Sequence, residues 1–526
     1  MKLKNYSLPL IFVFFAGCTL APKSKEMKLP VPEEFVTTKL SDEKNKNSLA
    51  KLSWEEFYKL DDFKVLISKA LKSNRAYNIT KLNIKEFEAL YSIQRSDLLP
   101  NIQASGGYNR QKISPNALGN GGLFGGGGSQ QGFIQSQKRA SIGLTSYEID
   151  FFGRIRSLKN AALQDYFASE FAQKSQKINL IAELSAAYMR YLSDLELQRL
   201  TDQTFKLQEN VLKIIKQRLK AKVVSEIELR QAETLYESLR ADSIEQSRRV
   251  LLGWNSIKVL VGENIQRKDF KTSFLQVLSS IRVFPVNTDS TILLSRPDIK
   301  KAETDLIAAN ARIGAARAAF FPSISLTSSA GYLSSEASNL FEADSQTWAF
   351  SPNINLPIFT GGRNTARLKV ANIRKKKSIL AYELAIQKAF QEVSDGLVSH
   401  EKIESQINAQ FKVANTASRA TELSELRYKS GVDSYLVTLD ARRSQYEAQR
   451  KLIEIQRQFF SNYVYLYKAL GGGVYKNLIA IRAKLIASIP KAGSDFFIGS
   501  LTLMCMVSAP NIKKATTRAA GKLNTG

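Results

Sequence analysis

From Gly362 to Leu470 the chain contains no proline, and its apolar residues recur at helical spacing almost without a break. The one strong turn signal inside this stretch is Ser430-Gly431, followed by Val432-Asp433-Ser434. Gly431 can take the positive φ that ends a helix, and Ser434 or Asp433 can cap the next one. The stretch therefore predicts a helical hairpin with its tip at Arg427–Arg443. Its first arm, Gly362 to Lys429, would be about 100 Å long. A globular core needs no such arm, but a device that bridges a distance does.

The tip occurs twice. Arg218 to Arg240 reads RLKAKVVSEIELRQAETLYESLR, and the pairs Arg154/Arg363, Arg218/Arg427 and Gly262/Gly471 all stand 209 apart. Upstream the offset is 222, as in Ser73/Ser295, Pro100/Pro322 and Ile102/Ile324. The unit is too long, and present in too few copies, for a solenoid. Each copy carries the same parts. Helices are expected at Trp54–Ser73 and Asn74–Asp97, then a long one from Gly153-Arg154 to about Lys220 with a partner at Ser225–Val261. Leu294–Ala319 repeats the helix that precedes the first strands.

Between the helices the period changes to two. From Asn101, Ile102, Ala104, Gly106 and Tyr108 alternate with Gln103, Ser105 and Asn109. Ala140–Phe152 returns from the Gly-rich loop Asn116–Gly132. Ser323–Tyr332 alternates again, and Thr347–Phe359 sets Trp348, Phe350, Ile354, Leu356 and Ile358 against Ser351, Asn353 and Asn355. The Gly-rich loop lies between strands and lacks a Lys-Ser/Thr, so it reads as an exposed loop and not a phosphate cradle. In each half, the shorter helices match the long one in summed length. Two of them can stack end to end beside it, with the strand pair at the far end from the tip. Four amphipathic strands cannot close a barrel alone. Apolar-out, polar-in strands in several copies can, and three copies give about twelve strands.

Composition removes other classes. The charge of +27 prompts a nucleic-acid reading, but the cations are spread along helices among Glu and Asp, with no nucleic-acid motif. One histidine, His400, and two cysteines, Cys18 and Cys505, do not make a metal or catalytic constellation. No cofactor is expected, and no enzyme. His400 fits a helix seam with Ile386, Phe390, Val393, Leu397, Ile407, Phe411 and Ala414.

The N-terminus reads MKLKNYSLPLIFVFFAGC. Lys2 and Lys4 precede an apolar run, Leu8–Phe15, too short to span a bilayer, and Ala16-Gly17 are small. Residues 1–17 read as a signal peptide. Phe15-Ala16-Gly17-Cys18 resembles a bacterial lipobox, with Phe15 where Leu is usual, making Cys18 the lipidated first residue of the mature chain. Residues 18–51 then form an extended leader strapped over the surface.

Ser146–Arg154, Trp348–Arg363, Arg427–Arg442 and Leu466–Gly473, with Phe15–Cys18, follow the order seen in TolC-type outer-membrane efflux proteins. The lipoprotein branch, OprM/NodT-like outer membrane factors, is the nearest resemblance, and it spans nearly all of Leu52–Gly473. It implies a mainly α fold with a small β part. Long antiparallel hairpins would form an α-barrel in the periplasm, and four strands per protomer would join a trimeric 12-stranded transmembrane β-barrel. The organisation would be 52–262 first repeat, 263–293 equatorial connector, 294–473 second repeat and 474–526 an atypical basic tail. The resemblance implies a homotrimer with a periplasmic adaptor, an inner-membrane RND or ABC transporter and outer-membrane lipid as partners, and no nucleic acid. It places Leu436 and Asp440 at a periplasmic gate, Leu436 as a constriction and Asp440 as a carboxylate ring. Val223, Val224, Ser225, Arg427, Tyr428, Gly431 and Val432 would be adaptor-facing tips, and Gly153, Arg154, Gly362 and Arg363 strand-to-helix joints. Lys222 stands where Gly431 stands in the second half, which weakens the first turn. The expected function is the outer-membrane exit duct of a tripartite efflux system. Alternatives are the exit duct of a type I protein secretion system and a non-porous periplasmic coiled-coil lipoprotein.

Overall fold

The computed structural model describes residues 20–22, 30–35, 52–114, 133–281 and 290–473. Met1–Val474 form one compact unit, and a second unit, Tyr475–Gly526, lies outside the described residues. So do the signal peptide, Cys18, the Gly-rich loop and Cys505.

The region expected as one helix from Trp54 to Ser73 is broken in two. Ser53 and Glu56 form a capping box on a single turn, α1 (Trp54–Phe57). Tyr58 and Leu60 are then extended, and α2 (Asp61–Ser73) starts afresh. The break turns Phe57, Tyr58 and Phe63 into one aromatic core. Phe57 stacks on Tyr467 at 4.1 Å, and Tyr58 on Phe63 at 5.2 Å. Asn74 then caps α3 (Arg75–Ser96), accepting from the Tyr77 N–H at 2.8 Å.

The two long hairpins are near copies. Helices α4 (Arg154–Lys220) and α8 (Arg363–Lys429) hold 67 residues each, and each follows a left-handed glycine, Gly153 (φ 73) or Gly362 (φ 81). Their partners are α5 (Glu226–Val261) and, at the end of the unit, α9 (Tyr435–Ala469). Between the halves lies α6 (Phe274–Ser280), and the second half opens with α7 (Pro297–Ala318), which starts with proline where its missing N–H costs nothing. Near the strands the helices pack in the order α3, α4, α7, α8; towards the tips the order is α5, α4, α9, α8. So α3 and α5 occupy one edge of a curtain and α8 the whole of the other.

The sheet is antiparallel, in the order β1 (Ile102–Ile113), β2 (Phe133–Ile149), β3 (Ser323–Ser334), β4 (Gln346–Asn355). Strand β2 begins well before the expected Ala140, because Phe133–Arg139 pair with Gly107–Ile113. It ends at Ile149, where Asp150 turns to cap α4. Strand β4 ends before the expected Phe359; Pro357 has no N–H to continue a ladder, and Leu356 and Ile358 fall outside. Opposed residues share a face: Ile102 with Leu144, Ala140 with Tyr332, Ala330 with Trp348. A β-bulge lies between Leu144 and Tyr147, where Ser146 takes φ 49. Without that extra residue Tyr147 and Ile149 would point to the polar face. The bulge puts them back beside Leu326 and Ile324.

The main core lies at mid-height, where α1, α2 and α6 wrap the helices. Here the repeat uses different side chains at one job. Asn74 Nδ2 donates to the Leu260 carbonyl at 2.8 Å. At the equivalent place Arg296 Nη1 donates to the Ala469 carbonyl at 2.7 Å. Arg296 is almost fully buried, and its Nη2 also reaches Asp298 and Glu392 at 2.7 Å each. Of the expected His400 seam, Ile386, Val393, Leu397 and Ala414 are buried, but Phe411 is 53% exposed. The helix row around His400 turns as it passes α9, because a straight α-helix drifts against a four-and-three spacing.

Candidate functional site

The sheet carries the first functional feature. One face reads Gln103, Ser105, Ser141, Ser325, Thr327, Ser351 and Asn353. On the other, Ile102, Ile142, Trp348, Phe350 and Ile354 stand exposed, Trp348 by 80%. A single sheet that leaves a row of large apolar groups uncovered needs an apolar medium outside it. Among the described residues β1 and β4 each pair on one side only.

Below the sheet are the joints. Arg154 holds Glu148 with two bonds, at 2.8 and 2.6 Å. Asp150 accepts from the N–H groups of Ile155 and Arg156 at 3.1 and 2.8 Å, a carboxylate on the positive end of α4. The second joint has Phe359 at the position of Asp150, and Arg363 there makes no ion pair among the described residues. Asn364 secures it instead, donating to the Ala319 carbonyl at 2.7 Å.

At the opposite end the two tips have one backbone. Val223 N–H bonds the Arg218 carbonyl at 2.9 Å, and Val432 N–H bonds that of Arg427 at 3.0 Å. The residue doing the turning is Lys222 (φ 58) in one and Gly431 (φ 73) in the other. The first turn therefore forms despite its lysine. Ser225 caps α5 by accepting from Glu228 N–H at 3.4 Å. Ser434 makes no such side-chain cap on α9, and Asp433 is instead gripped by Arg427 at 2.6 and 2.9 Å. That pair holds the Asp433 carboxyl below its ordinary range.

Of the residues expected at the tips, Val223, Gly431 and Val432 are exposed, as are Ser225 and Arg427. Val224 and Tyr428 pack inward, against a cluster that joins the two hairpins through Ile215, Leu239, Tyr435 and Leu439. Leu436 and Asp440 lie one turn apart on the uncovered side of α9, about 100° round the helix from the buried Tyr435 and Leu439. Asp440 has no hydrogen bond or ion pair among the described residues.

Between the tips and the core runs a polar network that pattern reading alone does not find. Arg442 reaches Glu425 at 2.7 Å and Gln208 Oε1 at 3.2 Å. Gln208 Nε2 in turn donates to the Tyr435 hydroxyl at 3.1 Å, and Thr201 meets the Tyr446 hydroxyl at 2.9 Å. The network ties α4 to α9, so it ties one copy of the repeat to the other. Its signal in the sequence is asymmetry: Gln208 and Tyr435 stand where the other copy has Ala417 and Glu226.

Comparison with known proteins agrees with this architecture. The family model described as "Outer membrane efflux protein" matches residues 66–263 and 290–472. The probable efflux pump outer membrane protein TtgC of Pseudomonas putida is 37% identical over 491 residues, covering 92% of this chain and 99% of that protein. A solved membrane protein from Pseudomonas aeruginosa superposes with a TM-score of 0.80 at 36% identity, covering 86% of this chain and 100% of the other. The open-state MtrE outer membrane channel of Neisseria gonorrhoeae gives 0.76 at 35% identity, covering 87% and 99%.

Proposed function

This chain belongs to the outer membrane efflux protein family, and on that premise we propose that three copies close one continuous duct, a twelve-stranded barrel above a helical cylinder. The protein is an outer-membrane efflux exit duct, a conduit and not an enzyme. The observation that carries the trimer is the sheet: apolar on one face, polar on the other, with edges at β1 and β4 that are unpaired among the described residues. Joining β4 of one copy to β1 of the next removes both edges.

The remaining parts of the reading follow the position of each group. Cys18 carries the lipid anchor; two residues later the leader is held beside α7, which runs into β3. The exposed tips at Val223, Ser225, Gly431 and Val432 dock a periplasmic adaptor, which links the duct to an inner-membrane RND or ABC transporter. Leu436 and Asp440 narrow the periplasmic mouth, and a ring of Asp440 carboxylates favours cations there. The transporter supplies the energy.

The test is reconstitution of purified protein in planar bilayers. A discrete conductance that rises when Leu436 and Asp440 are both replaced by alanine supports duct and gate together. Conductance that is present but indifferent to those changes removes the gate and leaves the duct. Cys18→Ser expressed with radiolabelled palmitate tests the anchor: the wild type takes up label and the variant does not.

A further inference from the structure

Near the membrane end, a groove of about 910 Å³ runs between α4, α7 and α8. Its floor is apolar, from Leu158, Ala309 and Val370. Along α8 its rim is Arg363, Arg367, Arg374 and Lys377, all exposed. They recur at steps of four, seven and three residues over about 20 Å of helix and so share one face. None of the four makes an ion pair among the described residues, whereas the other charges in the groove do: Arg312 bonds Asp165, and Asp305 bonds Lys301 at 2.7 Å. Elsewhere on these helices cations sit beside acids at one-turn spacing, as Arg199 with Glu196 and Arg419 with Glu422. From Arg363 to Tyr382 helix α8 has no acid at all.

The leader shows which way the groove faces. Asn310 and Arg317 of α7 donate to the carbonyls of Pro22 and Leu20, at 2.6 and 3.1 Å. Gly314 lets Ala21 pass so close that an added Cβ would lie 2.9 Å from its nitrogen. These three residues share one face of α7. Arg312, two residues from Asn310 and from Gly314, is about 200° round the helix from each. Leader and groove therefore lie on opposite faces of the curtain. An acyl chain on Cys18 must reach the bilayer outside the duct, so the leader face is the outer one and the groove opens into the lumen. This step rests on the trimeric, lipid-anchored reading above.

We propose that this groove is a lumenal binding site for anionic amphiphiles, molecules with a carboxylate, sulfate or phosphate head and a hydrocarbon body. The unpaired guanidinium groups take the head by charge-assisted hydrogen bonds, and the Leu158–Val370 floor takes the apolar part. A cationic band at the exit end opposes the Asp440 carboxylates at the entrance, so an anion that passes the mouth meets attraction further up.

Single-channel recording in neutral phosphatidylcholine bilayers tests this, with decanoate added to the bath and decyltrimethylammonium as the oppositely charged control. Wild type is expected to show decanoate block that weakens with added salt. R367Q/R374Q/K377Q should weaken it about tenfold, the scale of losing charged hydrogen bonds, while the charge-preserving R367K/R374K variant retains block. Equal block by both amphiphiles in the wild type overturns the proposal, as does decanoate block unchanged in the glutamine variant. If the variant alters only the binding of phosphatidylglycerol vesicles, the groove faces lipid and the proposal is likewise overturned. A wild-type chain that conducts nothing contradicts the duct itself, a result distinct from conduction without decanoate block.

Discussion

Helices α4 and α8 are the same length, start from the same kind of glycine and end in the same turn, yet one is interior and the other is an edge. Buried residues run along α4 from Ile155 to Ile215. Helix α8 buries nothing between Asn364 and Ile386. In that gap its exposed residues are apolar on one side, at Ile373 and Leu380, and cationic on the next. The duplication gave two copies of one hairpin, and position in the curtain set different demands on each. The interior copy is satisfied within its own chain. In the proposed trimer the edge copy is left for a neighbour to complete, and the surface proposed to match it is α3, where Ile79, Leu82, Leu90 and Ile93 are exposed.

The largest expected effect breaks this contrast directly. Ile373→Glu with Leu380→Glu should abolish the trimer on detergent gel filtration while leaving the helical circular dichroism of the chain intact. A single charge in the interior copy, Ile181→Glu, should instead unfold the protomer, because Ile181 is buried and the carboxylate has no partner there. If the edge variants assemble normally, α8 is not the joining surface.

Next is the mid-height pair. Arg296→Ala removes four hydrogen bonds from a buried guanidinium and strands Asp298 and Glu392, 41% and 34% exposed, so a loss of about 2–3 kcal/mol is expected. Asn74→Ala removes one neutral bond to a carbonyl and one cap, about 1–2 kcal/mol. Denaturant titration should rank them in that order, and equal losses would mean the two halves are held alike.

A smaller effect sharpens the comparison at the tips. Lys222→Gly removes left-handed strain and should raise stability by about 0.5–1 kcal/mol. Gly431→Ala introduces the same strain and should lower it by about 1–2 kcal/mol. Opposite signs in thermal melts are the expected outcome.

The smallest effect concerns His400 on α8, whose Nδ1 is buried without a partner among the described residues and whose ring stacks on Phe459 at 5.3 Å. Burial lowers its pKa, with Glu404 pulling weakly the other way. A histidine depressed in the folded state resists protonation there, so stability is complete above about pH 6.5 and falls as pH drops below it. His400→Gln should flatten that slope in melts recorded between about pH 5 and 7.5.

Much of this was legible in the residues. The 209 spacing and the absence of proline from Gly362 to Leu470 imply two equal hairpins, and the alternation around Ile102, Ile324 and Trp348 implies strands of one polarity. What was hidden depends on pairing across distance. The bulge at Ser146 exists because Ile149 must rejoin Ile324, and a period-of-two reading of β2 alone cannot see its partner. The break at Tyr58 follows from an aromatic cluster with Tyr463 and Tyr467, far away in sequence. Asn74 and Arg296 do one job with different chemistry, so no shared letter marked it. The cations at Arg363–Lys377 were visible as charge, but only the pairing of their neighbours left them conspicuous.

The measurement closest to the central claim is single-particle imaging of the full chain extracted from outer membranes in mild detergent, viewed along and across its long axis. The account predicts a hollow threefold particle with twelve strands, well over 100 Å long, in which α8 of each copy lies against α3 of the next. A particle without a lumen, or one in which the Ile373–Leu380 face of α8 meets no neighbouring copy, would contradict it.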